Sequence, residues 1–267
     1  MQQPAIVQSI DSNRDAVGAG AARHLDLAFR HMMLGPGTEQ NANFIRAVTG
    51  ELHPLGNVAI VSSRGDLEVM RTAAGPLVKD NLPAAMIYPG GVTDAVTQSV
   101  VALGFATASM PAMAVDIGGM PATALPPGYA FARIGAGDDG RAWSETLAVG
   151  YGLPTGLARL FSPDVLGADM APGAAMQFFA ILRNGRPVAT SLLYLADGLA
   201  GIYCVATLPE ERGKGLGAHV TAEAVRRGGQ LGYRVGVLQS TPAGHPIYLG
   251  LGFEDMAEVP MFVRMPA

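Results

Sequence analysis

The sequence predicts an α/β (α+β) protein built as two similar halves in tandem, and three observations carry that expectation. Strand-like apolar runs alternate with helix-like amphipathic runs along the 267 residues. Landmarks recur at one offset: Leu103-Gly104-Phe105 with Leu251-Gly252-Phe253, and Arg64-Gly65 with Arg212-Gly213, each 148 positions apart. Between the halves, residues 118–128 hold three prolines and no periodicity, which reads as a boundary loop. The expected division is residues 1–125 and 126–267.

In the first half, helices are expected near Asn13–Met33 and Glu39–Glu51, then strand Val58–Ser62 and helix Leu67–Asp80. Strand Ala85–Tyr88, helix Thr93–Leu103 and strands Phe105–Ala108 and Ala112–Ile117 follow. The second half opens with strand Tyr129–Ile134, helix Asp138–Val149 and a short helix after Pro154. Asn184-Gly185 between Met176–Leu182 and Pro187–Leu195 is a strong hairpin signal. Strand Gly201–Thr207, helix Lys214–Leu231, strand Tyr233–Gln239, helix Gly244–Gly250 and strands Phe253–Ala257 and Met261–Met265 complete the reading. By the repeat, Ala85–Tyr88 stands opposite Tyr233–Gly236.

Composition narrows the function classes. Hydrophobic residues make up 49% and charged residues 15%, so a packed globular protein is expected. Net charge is −4 with no basic run, which argues against nucleic acid as a partner. No apolar run reaches the ~18 residues of a membrane span. Cys204 is the only cysteine, so no intrachain disulfide forms, and a cytoplasmic location is expected. Met1-Gln2-Gln3-Pro4 has neither the basic region nor the apolar core of a secretory signal. The five histidines show no metal-ligand spacing, so no metal is expected. Hydrophobic edges leave room for a homodimer, which the sequence does not decide.

The most informative stretch is Arg212-Gly213-Lys214-Gly215-Leu216-Gly217. It stands between a strand-like and a helix-like run. The first N–H groups of a helix lack partners within it, and the helix dipole adds partial positive charge there. A glycine-rich turn at that point is an anion site, so a phosphate-bearing ligand is expected. A P-loop is excluded because Ala218-His219 follows Gly217. The dinucleotide fingerprint fails on spacing and on its late position in the chain. The run does match R-x-x-G-x-G, and Ile247-Tyr248-Leu249-Gly250-Leu251-Gly252-Phe253 follows at a suitable distance.

On these two motifs, residues 127–267 resemble the GNAT superfamily of acetyl-CoA-dependent N-acyltransferases. The resemblance implies two tandem GNAT-like domains, each with a mixed, mostly antiparallel sheet flanked by helices. It implies transfer of an acetyl group from acetyl-CoA, as cosubstrate, to a primary amine of a small molecule or peptide within a ternary complex. Gly213, Lys214, Gly215, Leu216, Gly217 and Ala218 would offer backbone N–H groups to the pyrophosphate, and Arg212 could reach a phosphate. Val205, Ala206 and Thr207 would hold the pantetheine arm through main-chain groups, one N–H facing the thioester carbonyl. Tyr248 would be the general acid. No general base is legible; Tyr203, Asp197, His245, Glu254 and Asp255 are weak candidates. Thr241 stands where many relatives carry a cofactor-contacting Asn. Cys204 reads as a small core residue rather than a nucleophile.

The first half reads as a degenerate copy without an acetyl-CoA site. Leu67 and Val69 are expected opposite Gly215 and Gly217, Asp66 opposite Lys214, and Val100 opposite Tyr248. A non-catalytic acyl-CoA-binding or sensing module is the alternative function.

Overall fold

The structure is a computed structural model that describes residues 6–266; the Met1–Pro4 segment, read above for targeting, lies outside them. In chain order the elements are α1 (Arg14–Met32), β1 (Thr38–Gln40), β2 (Phe44–Val48), β3 (Asn57–Val61), α2 (Leu67–Lys79), β4 (Ala84–Ile87), α3 (Asp94–Ala102) and β5 (Ala106–Asp116). Then come β6 (Tyr129–Ile134), α4 (Asp138–Tyr151), α5 (Thr155–Leu160), α6 (Pro163–Leu166), β7 (Met176–Arg183), β8 (Arg186–Ala196) and β9 (Leu199–Thr207). The chain closes with α7 (Leu216–Gln230), β10 (Val235–Gln239), α8 (His245–Gly250) and β11 (Glu254–Arg264).

All eleven strands form one sheet in the order β1-β2-β3-β4-β11-β5-β10-β9-β8-β7-β6. Pairing is antiparallel except for β3 with β4 and β9 with β10. The class is therefore the expected mixed α/β, with a mostly antiparallel sheet flanked by helices. Alternation along the strands separates two faces. One face carries a core shared by both halves, in which Val17, Ala21 and Leu25 of α1 and Trp143 and Leu147 of α4 meet Ile45, Ile60, Ala114, Val237 and Leu192. The other face carries two cores: Leu216, Val220 and Val225 of α7 over Leu193, Ile202 and Leu238, and Met70 and Leu77 of α2 over Ala59, Met86 and Phe262.

Two expectations are corrected. Residues 39–51 are not a helix but the hairpin of β1 and β2. Asn41 turns the chain there, its side chain accepting the N–H groups of Asn43 and Phe44 at 2.8 and 3.1 Å. The buried run Phe44-Ile45-Arg46-Ala47 then suits a strand, and Arg46 is tied to Glu39 and to the Thr72 carbonyl. The two closing strands expected in each half are also single long strands, β5 and β11. Each passes through a proline, Pro111 and Pro260, whose carbonyls accept from Ser240 and Tyr88 at 3.0 and 2.9 Å. A proline removes a donor but keeps its acceptor, so the ladder continues on that side.

Those two strands join the halves. The second part of β5 lies against β10, with Ala112 opposite Gln239 and Asp116 opposite Val235. The last part of β11 lies against β4, with Met261 opposite Ile87 and Arg264 opposite Ala84. Each half thus completes its sheet with a strand from the other. β5 and β11 pair with each other over nearly their whole length, and Met110 faces Val259 at the centre. Pro111 and Pro260, 149 positions apart, sit symmetrically about that pair. The same pairing shows that β4 answers Gly236–Gln239 rather than Tyr233–Gly236. Helix α7 runs two residues longer than α2, 15 against 13, which contributes to the slip.

Either half alone lacks the strand beside its β4 or β10. Residues 1–125 and 126–267 produced separately are expected to be unfolded or self-associated by circular dichroism and size-exclusion chromatography. Mixed in equal amounts, they should recover a monomer-sized species with one cooperative melt. Two separately folded monomers would contradict the exchanged-strand arrangement.

Candidate functional site

Strands β9 and β10 touch only at their beginnings, Ala200 with Gly236 and Gly201 with Val237. Beyond that they diverge, and a cleft of about 550 Å³ opens between them. Its floor is the turn and first residues of α7. Gly213 and Gly215 have φ of +77° and +75°, a conformation that disfavours side chains, and Gly215 is the N-cap residue of α7 without a side-chain cap. The first N–H groups of α7 therefore lack the side-chain partner that a capping residue supplies. The walls are Val205, Ala206 and Thr207 of β9 on one side, and Gln239, Thr241 and Tyr248 on the other. Gly150 and Tyr151 of α4 close a third side, and Gly150 packs against Ala206 too closely for a side chain.

The expected site residues Val205, Ala206, Thr207, Arg212, Gly213, Gly215, Leu216, Gly217, Ala218 and Tyr248 all line this one cleft. Lys214 does not turn its side chain into it: Nζ donates to Glu211 Oε2 at 2.7 Å and to the Tyr129 hydroxyl at 3.3 Å. Arg212 is not paired with Glu210 or Glu211. Its guanidinium donates to the Gly150 and Thr207 carbonyls at 2.8 and 3.3 Å, fixing α4 and the end of β9 to the loop. Thr241 accepts the Gly244 N–H at 3.3 Å and so shapes the turn into α8.

Strand β9 carries a feature that its sequence does not announce. Cys204 has φ of +51°, and the β8–β9 register shifts between Thr190 and Leu192. This is a β-bulge, in which two residues oppose one and the ladder is interrupted. The Thr190 hydroxyl donates to the Cys204 carbonyl at 2.8 Å and holds it in place. The bulge adjoins Val205 and Ala206, where main-chain N–H groups can be turned into the cleft. Burial pushes both the Cys204 thiol and the Tyr248 phenol up to about 12, so both are neutral at pH 7.

The weak base candidates lie elsewhere. Asp197 stands in the β8–β9 turn, at the far end of β9, with Arg23 at 4.0 Å. Glu254 pairs with Arg14 at 2.8 Å, and His245 with Asp255 at 2.9 Å. The Tyr203 hydroxyl lies 2.7 Å from Nδ1 of His24, which is wholly buried in α1. Desolvation lowers His24 to about 4, so that imidazole is neutral. Sequence reasoning gave no role to Gln239, which lines the cleft, or to His24, which supports Tyr203 behind it, because each depends on contacts distant in the chain.

The first half contrasts with this. Helices α2 and α7 start at Leu67 and Leu216, so Asp66 stands opposite Gly215, one residue off the sequence expectation. The Asp66 carboxylate accepts the N–H groups of Glu68 and Val69 at 2.9 and 3.0 Å. That helix end is filled by its own side chain.

Residues 155–253 match the model of the acetyltransferase (GNAT) family, and both motifs read above fall at or within that span. That span is therefore similar to the GNAT acetyltransferase family, a likeness that indicates acyl-transfer chemistry. No curated protein matches. Among solved structures, a GCN5-related N-acetyltransferase from Kribbella flavida is 22% identical, with 91% of this chain and 95% of that one covered and a TM-score of 0.63. A GCN5-related N-acetyltransferase from Sphaerobacter thermophilus is 14% identical, with 98% and 94% covered and a TM-score of 0.59. A tandem GNAT protein from the clavulanic acid biosynthesis pathway is 16% identical, with 99% and 98% covered and a TM-score of 0.52. These likenesses establish a common fold across both halves. Among the described residues no group of three or more His, Cys, Asp or Glu could hold a metal, and no helix is long and apolar enough to cross a membrane.

Glu211 sets the shape of the loop. It accepts from Tyr129, Arg183 and Lys214 at 2.5, 2.6 and 2.7 Å, and its side chain is 6% exposed. The bonds from Lys214, Tyr129 and Arg183 pull its pKa down from 4.5 to about 2. A carboxylate with a depressed native pKa stabilises the fold fully above its unfolded value and loses that contribution as pH falls through the native one. Glu211→Gln is therefore expected to melt below wild type at pH 7. The gap in Tm should close between pH 4.5 and about 2. A gap independent of pH would show that Glu211 does not act through its charge.

Proposed function

We propose that the protein transfers the acetyl group of acetyl-CoA to a primary amine of a small molecule or peptide, by direct attack within a ternary complex. The observation that carries this reading is the uncapped N-terminus of α7 at the floor of the β9–β10 cleft. Under this reading residues 126–267 supply the site. Residues 1–125 bind no acetyl-CoA, because Asp66 already occupies the equivalent helix end. The loop from Gly213 to Ala218 directs N–H groups at the pyrophosphate, and a carboxylate or bulky residue there would oppose it. Val205, Ala206 and Thr207 receive the pantetheine arm along the open edge of β9. An N–H beside the Cys204 bulge stabilises the oxyanion as the amine nitrogen bonds to the thioester carbon.

When the C–S bond breaks, Tyr248 protonates the departing sulfur, and the proton lost by the attacking nitrogen passes through water to restore the phenol. A phenol near 12 is a poor match for a free thiol near ~8.5. Burial in the neighbouring core also lifts the thiol of Cys204, the residue before Val205 on β9, to about 12. A CoA sulfur withdrawn from water in the cleft would be raised in the same direction, which narrows the gap between donor and acceptor.

Three measurements test this. Calorimetric titration of acetyl-CoA should show binding to wild type and none to a folded Gly215→Leu, Gly217→Val double variant. Undiminished binding by the variant would place the cofactor elsewhere. Tyr248→Phe should lower kcat for CoA release by about 10²-fold, with the Kd for acetyl-CoA unchanged. With an alkylamine, kcat/KM should rise with pH as the amine deprotonates and show no falling limb at pH 10. An ordinary phenol in the acid role would produce such a limb near ~10. A second reading, an acyl-CoA sensor, draws on Glu211: it is the only carboxylate among the described lining residues, and it is fully engaged. Binding of acetyl-CoA without CoA release for any amine would favour the sensor.

A further inference from the structure

Gln239 is the last residue of β10 and bounds the cleft where β9 has diverged. Its Nε2 donates to the main-chain carbonyl of Ala21 in α1 at 2.7 Å. That bond settles the orientation of the amide, since the opposite assignment would set two carbonyl oxygens against each other. Oε1 is consequently turned away from α1, and it is buried with no hydrogen-bond partner. An enclosed carbonyl without a donor is an unsatisfied group that an incoming N–H relieves.

We propose that Gln239 is a positioning residue for the acceptor: its Oε1 accepts an N–H of the incoming amine and points the nitrogen lone pair toward the thioester. This rests on the acyl-transfer reading above. Two ligand groups could supply an N–H, the acceptor amine and an amide of the pantetheine arm, and the geometry favours the amine. Leu238 packs on the α7 face, the side of the phosphate loop, whereas Gln239 reaches α1 on the opposite face. Helix α4 covers that same face through Trp143 and Leu147, and Tyr151 at its end lines the cleft. The acceptor then enters from the α1–α4 face, opposite the cofactor.

The placement also gives the first half a role in the site. Ala21 and His24 are three residues apart on α1, so they share a helix face. Ala21 holds Gln239, and His24 holds Tyr203, the residue before the bulge. Gly201 is required for this, because a side chain there would collide with the His24 ring. One helix of the first half thereby fixes both walls of the cleft.

The test compares wild type with Gln239→Met, which keeps the length and removes both polar atoms. CoA release is followed with n-butylamine, benzylamine, putrescine and glycylglycine, and acetyl-CoA binding is measured separately by calorimetry. The expected result is a fall in acceptor kcat/KM of about tenfold to hundredfold with the acetyl-CoA Kd unchanged. Gln239→Glu keeps an acceptor oxygen for the amine but loses the bond to the Ala21 carbonyl, so it should lower acceptor kcat/KM while retaining clearly more of it than Gln239→Met. A purely structural bond to Ala21 predicts at least as much damage from Gln239→Glu as from Gln239→Met, and that order would overturn the proposal. A weakened acetyl-CoA Kd with acceptor kinetics intact would assign Oε1 to the pantetheine arm and overturn the proposal. Unchanged kinetics in the Met variant would overturn it too. Wild type that binds acetyl-CoA but acetylates none of the amines would instead sink the acyl-transfer reading, and this inference with it.

Discussion

The pairing of β5 with β11 is the constraint on which the rest of the molecule depends. Met110 opposite Val259 marks the point where the two halves trade strands. On one side of that point β5 supports β10, and on the other β11 supports β4. An eleven-stranded sheet results, and the seam lies inside a hydrogen-bonded ladder rather than at a surface between domains. Interfaces between domains usually permit relative motion, whereas a continuous ladder does not. The wall of the cleft formed by β10 is thus held on its other side by a strand of the first half. Helix α1 lies across the same seam and contributes Ala21 and His24 to the residues around the cleft.

Much of the fold was legible because the signals were local. Asn184 and Gly185 take φ of +51° and +76°, as an Asn-Gly hairpin turn requires, and the helices α1, α2, α4 and α7 follow their apolar periodicity. The hairpin of β1 and β2 was not legible, since it depends on the Asn41 side chain bonding main chain ahead of it. Pro111 and Pro260 read as breaks because a sequence shows the lost donor and not the retained acceptor. The strand exchange had no signal at all. Two copies of one pattern offer two equivalent strands for each vacant place, and no local preference states which copy fills it.

The candidate site divides in the same way. The loop from Arg212 to Gly217 was legible because its requirement is for backbone shape, which glycine reports directly. The bulge at Cys204 was not, since it is a mismatch in count between two strands. Gln239 reads as an ordinary strand end, and its partner Ala21 is 218 residues away in the chain. Lys214 carried a charge that suggested a ligand, yet Glu211 and Tyr129 claim it. A backbone requirement can be read from a short motif, but the destination of a long side chain is decided by whatever the fold brings beside it.

The two copies differ most where helix ends meet the strand ends. In α2 the Asp66 carboxylate satisfies the first-turn N–H groups, and a cap of this kind is worth about 1 kcal/mol. In α7 Gly215 supplies no such cap, and the second half forgoes that stabilisation. Unsatisfied donors at a helix start are tolerated where water or a ligand reaches them. Keeping the helix end open and keeping it stable are competing demands on one residue. In this chain the two demands fall to different halves: the first has the capped helix and shares its strands, and the second, held by those strands, leaves the start of α7 open to the cleft.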